Sequence, residues 1–332
     1  MTNEQAGAEV VIPLRTADVS RETDLNAAET PIAAAAASAA RLIGRRAEPW
    51  PRPAATRVLT VANQKGGVGK TTSTVNVAAA LALHGLRVLV IDLDPQGNAS
   101  TALAVAHQAG TPSVYEVLVD GLPLEDVVQP VGELPGLVAA PATIDLAGAE
   151  IELVSLVARE SRLERALTSY LEAAAARGER FDYVFIDCPP SLGLLTVNAF
   201  VAAQEVLIPI QCEYYALEGL GQLIRNVELV QAHLNPDLHV STIVLTMHDA
   251  RTRLASQVAD EVREHFGPVV LATAIPRSVR VSEAPSYSQT VLTYDPGSTG
   301  ALSYVEAARE LAHRTGGEST ARDRSVQEEG SS

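Results

Sequence analysis

Two lysines, Lys65 and Lys70, bracket Gly66, Gly67 and Gly69, and Thr71 and Thr72 follow at once. Of the 25 lysine and arginine residues in the chain, these two alone are lysine. An ammonium is a compact point charge that a guanidinium fork does not replace. Glycines let backbone N–H groups close around phosphate oxygens. A lysine placed after them reaches the β- and γ-phosphates, and the next hydroxyl ligates Mg2+. Gly66, Gly67, Val68, Gly69, Lys70, Thr71 and Thr72 therefore form a candidate nucleoside-triphosphate loop, with Lys70 on phosphate and Thr71 on metal. The spacing departs from G-x-x-x-x-G-K, because Gln64 stands where the first glycine belongs and Lys65 is extra.

Such a loop needs a strand before it and a helix after it, whose N-terminus points at the anion. The run 57–62 supplies the strand and the apolar-periodic stretch 75–83 the helix. A second apolar run, 87–92, reads as a parallel strand buried on both faces. It ends in Asp92-Leu93-Asp94-Pro95-Gln96-Gly97-Asn98. Ligands of doubly wound sheets bind at the carboxyl ends of strands, so this turn and the glycine loop should face one crevice. Asp94, further out, is the candidate for positioning a water at the γ-phosphate. For Asp92 two roles stay open, holding the turn by hydrogen bonds or sharing that chemistry. The run Tyr183-Val184-Phe185-Ile186 leads to Asp187, expected to hold Mg2+ directly or through water. Cys188 beside it has no metal-ligand spacing around it and is expected to pack.

Length and composition bound the rest. A chain of 332 residues with 47% apolar content supports a sizeable core. Two cysteines exclude a disulfide framework and fit a reducing cytoplasm. No apolar run approaches a membrane span, and Met1 to Glu4 carry no positive charge of a signal peptide. Strands near 58, 87, 137, 182, 206, 240 and 269 alternate with helices. That pattern predicts α/β architecture: a single doubly wound, mainly parallel sheet flanked by helices, over 57–312. Residues 1–56 read as a low-complexity, disordered extension, with a marginal alanine-rich helix at 32–43, and 313–332 as a polar tail. Leu153, Leu156, Val157, Leu163, Leu167 and Leu171 form an apolar stripe expected in the core.

Four motifs together resemble one family. They are Lys65 to Thr71, Asp92 to Asn98, Ile186 to Gly193, and Gln211-Cys212-Glu213-Tyr214-Tyr215-Ala216-Leu217-Glu218-Gly219. From Val58 to Leu311 the chain is similar to ParA-type chromosome-partitioning ATPases of the deviant Walker A superfamily. The resemblance implies ATP and Mg2+ as cofactors and an ATP-sandwich homodimer. In it Lys65 reaches the partner's nucleotide and Gly66 sits at the dimer contact. It further implies slow hydrolysis that needs Asp94, and non-specific DNA binding by the ATP dimer. A ParB-type centromere-binding partner would stimulate hydrolysis and release the DNA. Arg251 and Arg280 match family arginines that contact DNA, while Met247, Pro276 and Arg277 match residues bordering the adenine. The implied location is the cytoplasm, on the nucleoid. The extension is left as a possible dock for a polar scaffold protein.

Charge alone does not announce a DNA surface, since the net charge is -15. Between 220 and 300 six arginines face eight acids, so a basic patch must be assembled by the fold. With about 4–6 phosphates neutralised, the slope of log K against log salt would be about -4 to -5. The main alternative is a MinD-like or polar-positioning ATPase that acts as a spatial scaffold. A MinD-type membrane helix needs an apolar face that 313–332 lack. An iron-protein type needs cluster cysteines that Cys188 and Cys212 do not offer convincingly. A tyrosine kinase needs a tyrosine-rich tail, and the last tyrosine is Tyr304.

Overall fold

Apolar runs without alternation become strands covered on both faces. The computed structural model describes residues 49–213 and 216–314. Strands β1 (Arg57–Val61), β2 (Val88–Asp92), β3 (Gln129–Pro130), β4 (Leu137–Ala140), β5 (Tyr183–Asp187), β6 (Glu205–Gln211) and β7 (His239–Thr246) form one sheet. Their order is β3-β4-β2-β5-β1-β6-β7, parallel throughout except for the short β3–β4 pair. The doubly wound, mainly parallel sheet expected from the sequence is the fold. β5 lies between β1 and β2, and the register sets Asp187 level with both Val61 and Asp92.

The helices are α1 (Lys70–Leu83), α2 (Asn98–Ala102), α3 (Val114–Val119), α4 (Leu146–Leu153), α5 (Arg162–Ala176), α6 (Leu194–Ala202), α7 (Ala216–His233), α8 (Arg253–Phe266), α9 (Val279–Glu283), α10 (Val291–Tyr294) and α11 (Thr299–His313). Strand residues alternate between two cores, as a period of two requires. Leu59, Val90, Tyr183 and Phe185 pack with α1, α2, α10 and α11. Val58, Leu89, Val184 and Ile186 pack with α3 to α8 on the other face. The alanines of α1 and α11, Ala78 to Ala80 with Ala307 and Ala308, are fully buried in the first core. Small side chains let these two helices and the sheet approach closely.

Three expectations are corrected. Residues 269–274 are not a strand: a 3-10 turn, Gly267–Val269, precedes a segment that meets β7 at the isolated bridge Ile243–Val270 and through the Leu271 and Ile275 N–H groups, which donate to the Ile243 and Leu245 carbonyls. Side chains satisfy much of its backbone in place of a ladder. Glu310 accepts from the Ala272 and Thr273 N–H groups, and Arg314 donates to the Val269 and Val270 carbonyls. The stripe from 153 to 171 breaks between α4 and α5, where Ala158 has φ 53° and Val157 is 89% exposed. Leu153, Leu163 and Leu167 are buried as expected.

The third correction concerns the extension. Residues 49–56, placed outside the fold by the sequence, lie against it. Trp50 is buried, stacked on His84 with ring centroids 3.8 Å apart. Arg52 forks onto buried Asp182 at 3.0 Å, and the Thr56 hydroxyl donates to the Phe181 carbonyl. The expected disorder of 1–48, the helix at 32–43 and the polar tail from 315 lie outside the described residues.

Candidate functional site

The ends of β1, β2 and β5 converge on one cleft. The loop after β1 turns through Gly67 (φ 73°) and Gly69 (φ 91°), a left-handed backbone that side chains resist. Neighbouring strands brace it. Thr246, at the end of β7, donates its hydroxyl to the Val68 carbonyl at 2.8 Å. Asn63 donates to the Pro209 carbonyl of β6 and accepts from the Lys65 N–H. The loop is thus shaped before any ligand arrives, and α1 begins at Lys70 directly behind it.

Lys70 is buried, and its ammonium donates to the Lys65 carbonyl at 3.3 Å. Burial holds its pKa below the usual lysine value, against the opposing pull of Asp187, Cys188 and Asp94. Asp187 is fully buried and accepts from Thr71 Oγ1 at 2.7 Å and Thr74 Oγ1 at 3.0 Å. Burial, then the charge of Asp92, raises its carboxyl above the ordinary range. A hydroxyl and a carboxylate in contact are hard oxygen donors of the kind Mg2+ takes. Among the described residues no cluster of three or more His, Cys, Asp or Glu could hold a metal.

Asp92, which ends β2, and Asp94 just beyond it separate by partner. Asp92 accepts from the Asp94 N–H through Oδ1, and from the Ser100 N–H and hydroxyl through Oδ2. Both of its oxygens are occupied in holding the turn. Asp94 accepts the Gln96 N–H through Oδ1 and lines the cleft.

That cleft has a volume of about 350 Å3. Gly66, Gly67, Gly69, Lys70, Thr71 and Thr72 form its floor, with Asp94 and Met247 on its walls. Val68 is buried beneath, facing inward. Asp187 stands behind Thr71. Lys65 does not line the cleft of its own chain: its ammonium rests on Glu213 at 2.7 Å, and Gln211 holds the other oxygen of that carboxylate. Pro276 and Arg277 bond the backbone of His248, the residue after Met247, through the His248–Pro276 bridge and the Arg277 N–H to His248 carbonyl bond, and neither lines the cleft. Arg251 and Arg280 lie on the exposed surface.

Sequence reasoning missed Asn98, Thr101, Pro190 and Pro285 on the cleft wall, and the roles of Thr74, Ser100 and Glu213. Glu213 was legible as part of a motif, but its partner is 148 positions away.

The comparisons agree with this geometry. A family model described as an AAA domain matches residues 56–240. Sporulation initiation inhibitor protein Soj of Bacillus subtilis is 51% identical over 256 residues, covering 77% of this chain and 98% of Soj. Chromosome partitioning protein ParA of Caulobacter vibrioides is 51% identical over 258 residues, covering 78% and 94%. A solved structure, described as cobyrinic acid a,c-diamide synthase of Mycobacterium smegmatis with bound ATP analogue and magnesium, is 40% identical with a TM-score of 0.65, covering 77% and 94%. The four motifs, the sheet order and these relatives converge: the chain belongs to the ParA/Soj family of chromosome-partitioning ATPases.

Proposed function

We propose that this chain is an ATP-driven DNA-segregation switch. Two copies close on ATP and Mg2+, the pair binds DNA without sequence preference, and hydrolysis, stimulated by a ParB-type partner, releases it. The observation that carries the reading is the division of labour between the two lysines. Lys70 sits in the cleft beside Thr71 and Asp94, whereas Lys65 is turned out of it. A charge held outside its own site is placed to serve another. Gly66 fits the same reading, because a Cβ there would meet nothing within 4 Å in its own chain. Crowding inside the chain does not explain that glycine; a partner's close approach would.

The chemistry is in-line attack of water on the γ-phosphate. Lys70 and the partner's Lys65 offset the charge that develops on the phosphoryl oxygens. Thr71, with Asp187 behind it, would hold Mg2+, which would supply further positive charge there. Asp94 orients the water, and Asp92 keeps the turn that carries Asp94. ATP as substrate is supported by the relative solved with an ATP analogue and magnesium. Burial pushes Cys188 up to about 12 and Cys212 up to about 11. No helix among the described residues is long and apolar enough to cross a membrane. The working location we infer is the cytoplasmic nucleoid, with chromosomal or plasmid DNA as cargo.

The test is Lys65→Ala. Light scattering with ATP and Mg2+ should give a dimer for the native chain and a monomer for the variant, with nucleotide still bound by both. A variant that dimerises as well as the native chain would remove Lys65 from the contact. A native dimer that binds no DNA would favour the spatial-scaffold alternative.

A further inference from the structure

Both arginines expected on the DNA are already ion-paired. Arg251 forks onto Asp249, Nε to Oδ1 at 2.9 Å and Nη2 to Oδ2 at 2.8 Å, although its side chain is 89% exposed. The Arg251 N–H also donates to Asp249 Oδ1, so a tight turn holds the carboxylate in place. Arg280 reaches Glu283 at 3.0 Å and Asp295 at 3.3 Å. The two loops form one surface. The His248 N–H donates to the Ile275 carbonyl, and the Arg277 N–H to the His248 carbonyl. Hydrogen bonds from Arg251, with the nearby charges of Arg251 and Arg277, hold the Asp249 carboxyl well below the usual carboxylate range.

Two cations, Arg251 and Arg280, are thus held by three anions, Asp249, Glu283 and Asp295, while the charge of Arg277 lies near Asp249. A surface shaped only for a polyanion would leave its positive charge unopposed. A carboxylate on a guanidinium fork takes the same two N–H groups that a phosphodiester would take. Exposed pairs of this kind are weak enough to exchange. The displaced carboxylate nevertheless stays beside the incoming phosphate and repels it.

We propose that Asp249, together with Glu283 and Asp295, is a built-in competitor of the DNA backbone for Arg251 and Arg280. The competition sets DNA affinity low on one chain and leaves firm binding to the doubled surface of a dimer. This rests on the DNA reading given above and adds its regulation. The acids are negative determinants of affinity: Asp249 lies on the loop that carries Arg251, Glu283 on α9 with Arg280, and Asp295 just after α10.

The experiment uses the full chain and labelled duplex DNA, read by fluorescence anisotropy with ATP and Mg2+ at fixed salt. Asp249→Asn keeps the oxygen that accepts the Arg251 N–H and removes the charge. Its dissociation constant should fall about fivefold relative to the native chain. Because Asp249 acts through Arg251, the gain should vanish in an Arg251→Ala background. Glu283→Gln, tested with and without Arg280→Ala, repeats the logic on α9, and carries the test if Asp249→Asn lowers the thermal midpoint. Unchanged or weaker binding by a variant with a native midpoint overturns the competition. So does a gain that survives intact without the arginine. Should the native chain itself fail to bind DNA with ATP, the DNA reading falls, and that outcome is distinct from native binding that the variants do not improve.

Discussion

Asp92 and Asp94 stand two residues apart and have different partners. Asp92 has both oxygens committed to the turn, while Asp94 keeps Oδ2 without a partner among the described residues and borders the cleft. Replacing Asp94 by Ala should therefore lower turnover about 100-fold while ATP binding persists. Single-turnover hydrolysis beside a nucleotide-binding titration checks this, and undiminished turnover would dismiss the assigned role. Residue identity at this scale was legible wherever the chain itself gathers the residues, as in the glycine loop. It was not legible where partners are distant in sequence. Thr74 is 113 positions from the carboxylate it holds, and Ser100 reaches back around a turn to Asp92.

At the scale of elements, the strands were legible because burial on both faces leaves no polar alternation to misread. The error at 269–274 shows the limit of that signal. An apolar run with Gly267 and Pro268 before it packs as a segment capped by Glu310 and Arg314, both on or beside α11. Burial requires apolar side chains, but a ladder also requires free backbone, which composition does not reveal. The join between β1 and β6 offers a quantitative check. Arg57 and Glu205 form a buried fork with both contacts at 2.7 Å, and Arg57 also caps the Leu311 carbonyl of α11. Burial works against the charge of Glu205, but the Arg57 hydrogen bonds and charge outweigh it, and its carboxyl lies below the ordinary 4.5. A lowered carboxylate adds stability that is fully present above its unfolded value and is lost as pH falls through its folded value. Glu205→Gln should cost about 3 kcal/mol in denaturant unfolding near neutral pH. The native advantage should then shrink steadily below about pH 5. A variant as stable as the native chain would show the pair to be neutral.

Across the whole molecule, a net charge of -15 must be reconciled with the polyanionic partner proposed above. Composition argues against a basic coat, and the two arginines expected on DNA, Arg251 and Arg280, are already held by carboxylates. The DNA binding proposed above would then need two copies and moderate salt, which would make nucleotide the control. The fold and the nucleotide cleft were legible in the sequence through motifs at strand ends. The sequence did not show the Trp50 strap, because a lone Trp among prolines gives no period to read. Nor did it show that Arg251 and Arg280 are paired, because charge counts carry no geometry. The most direct test of the central claim is duplex DNA binding with ATP and with ADP across a salt series. The account predicts binding with ATP only, with a slope of log K against log salt of about -4 to -5. Equal binding in the two nucleotide states would contradict it.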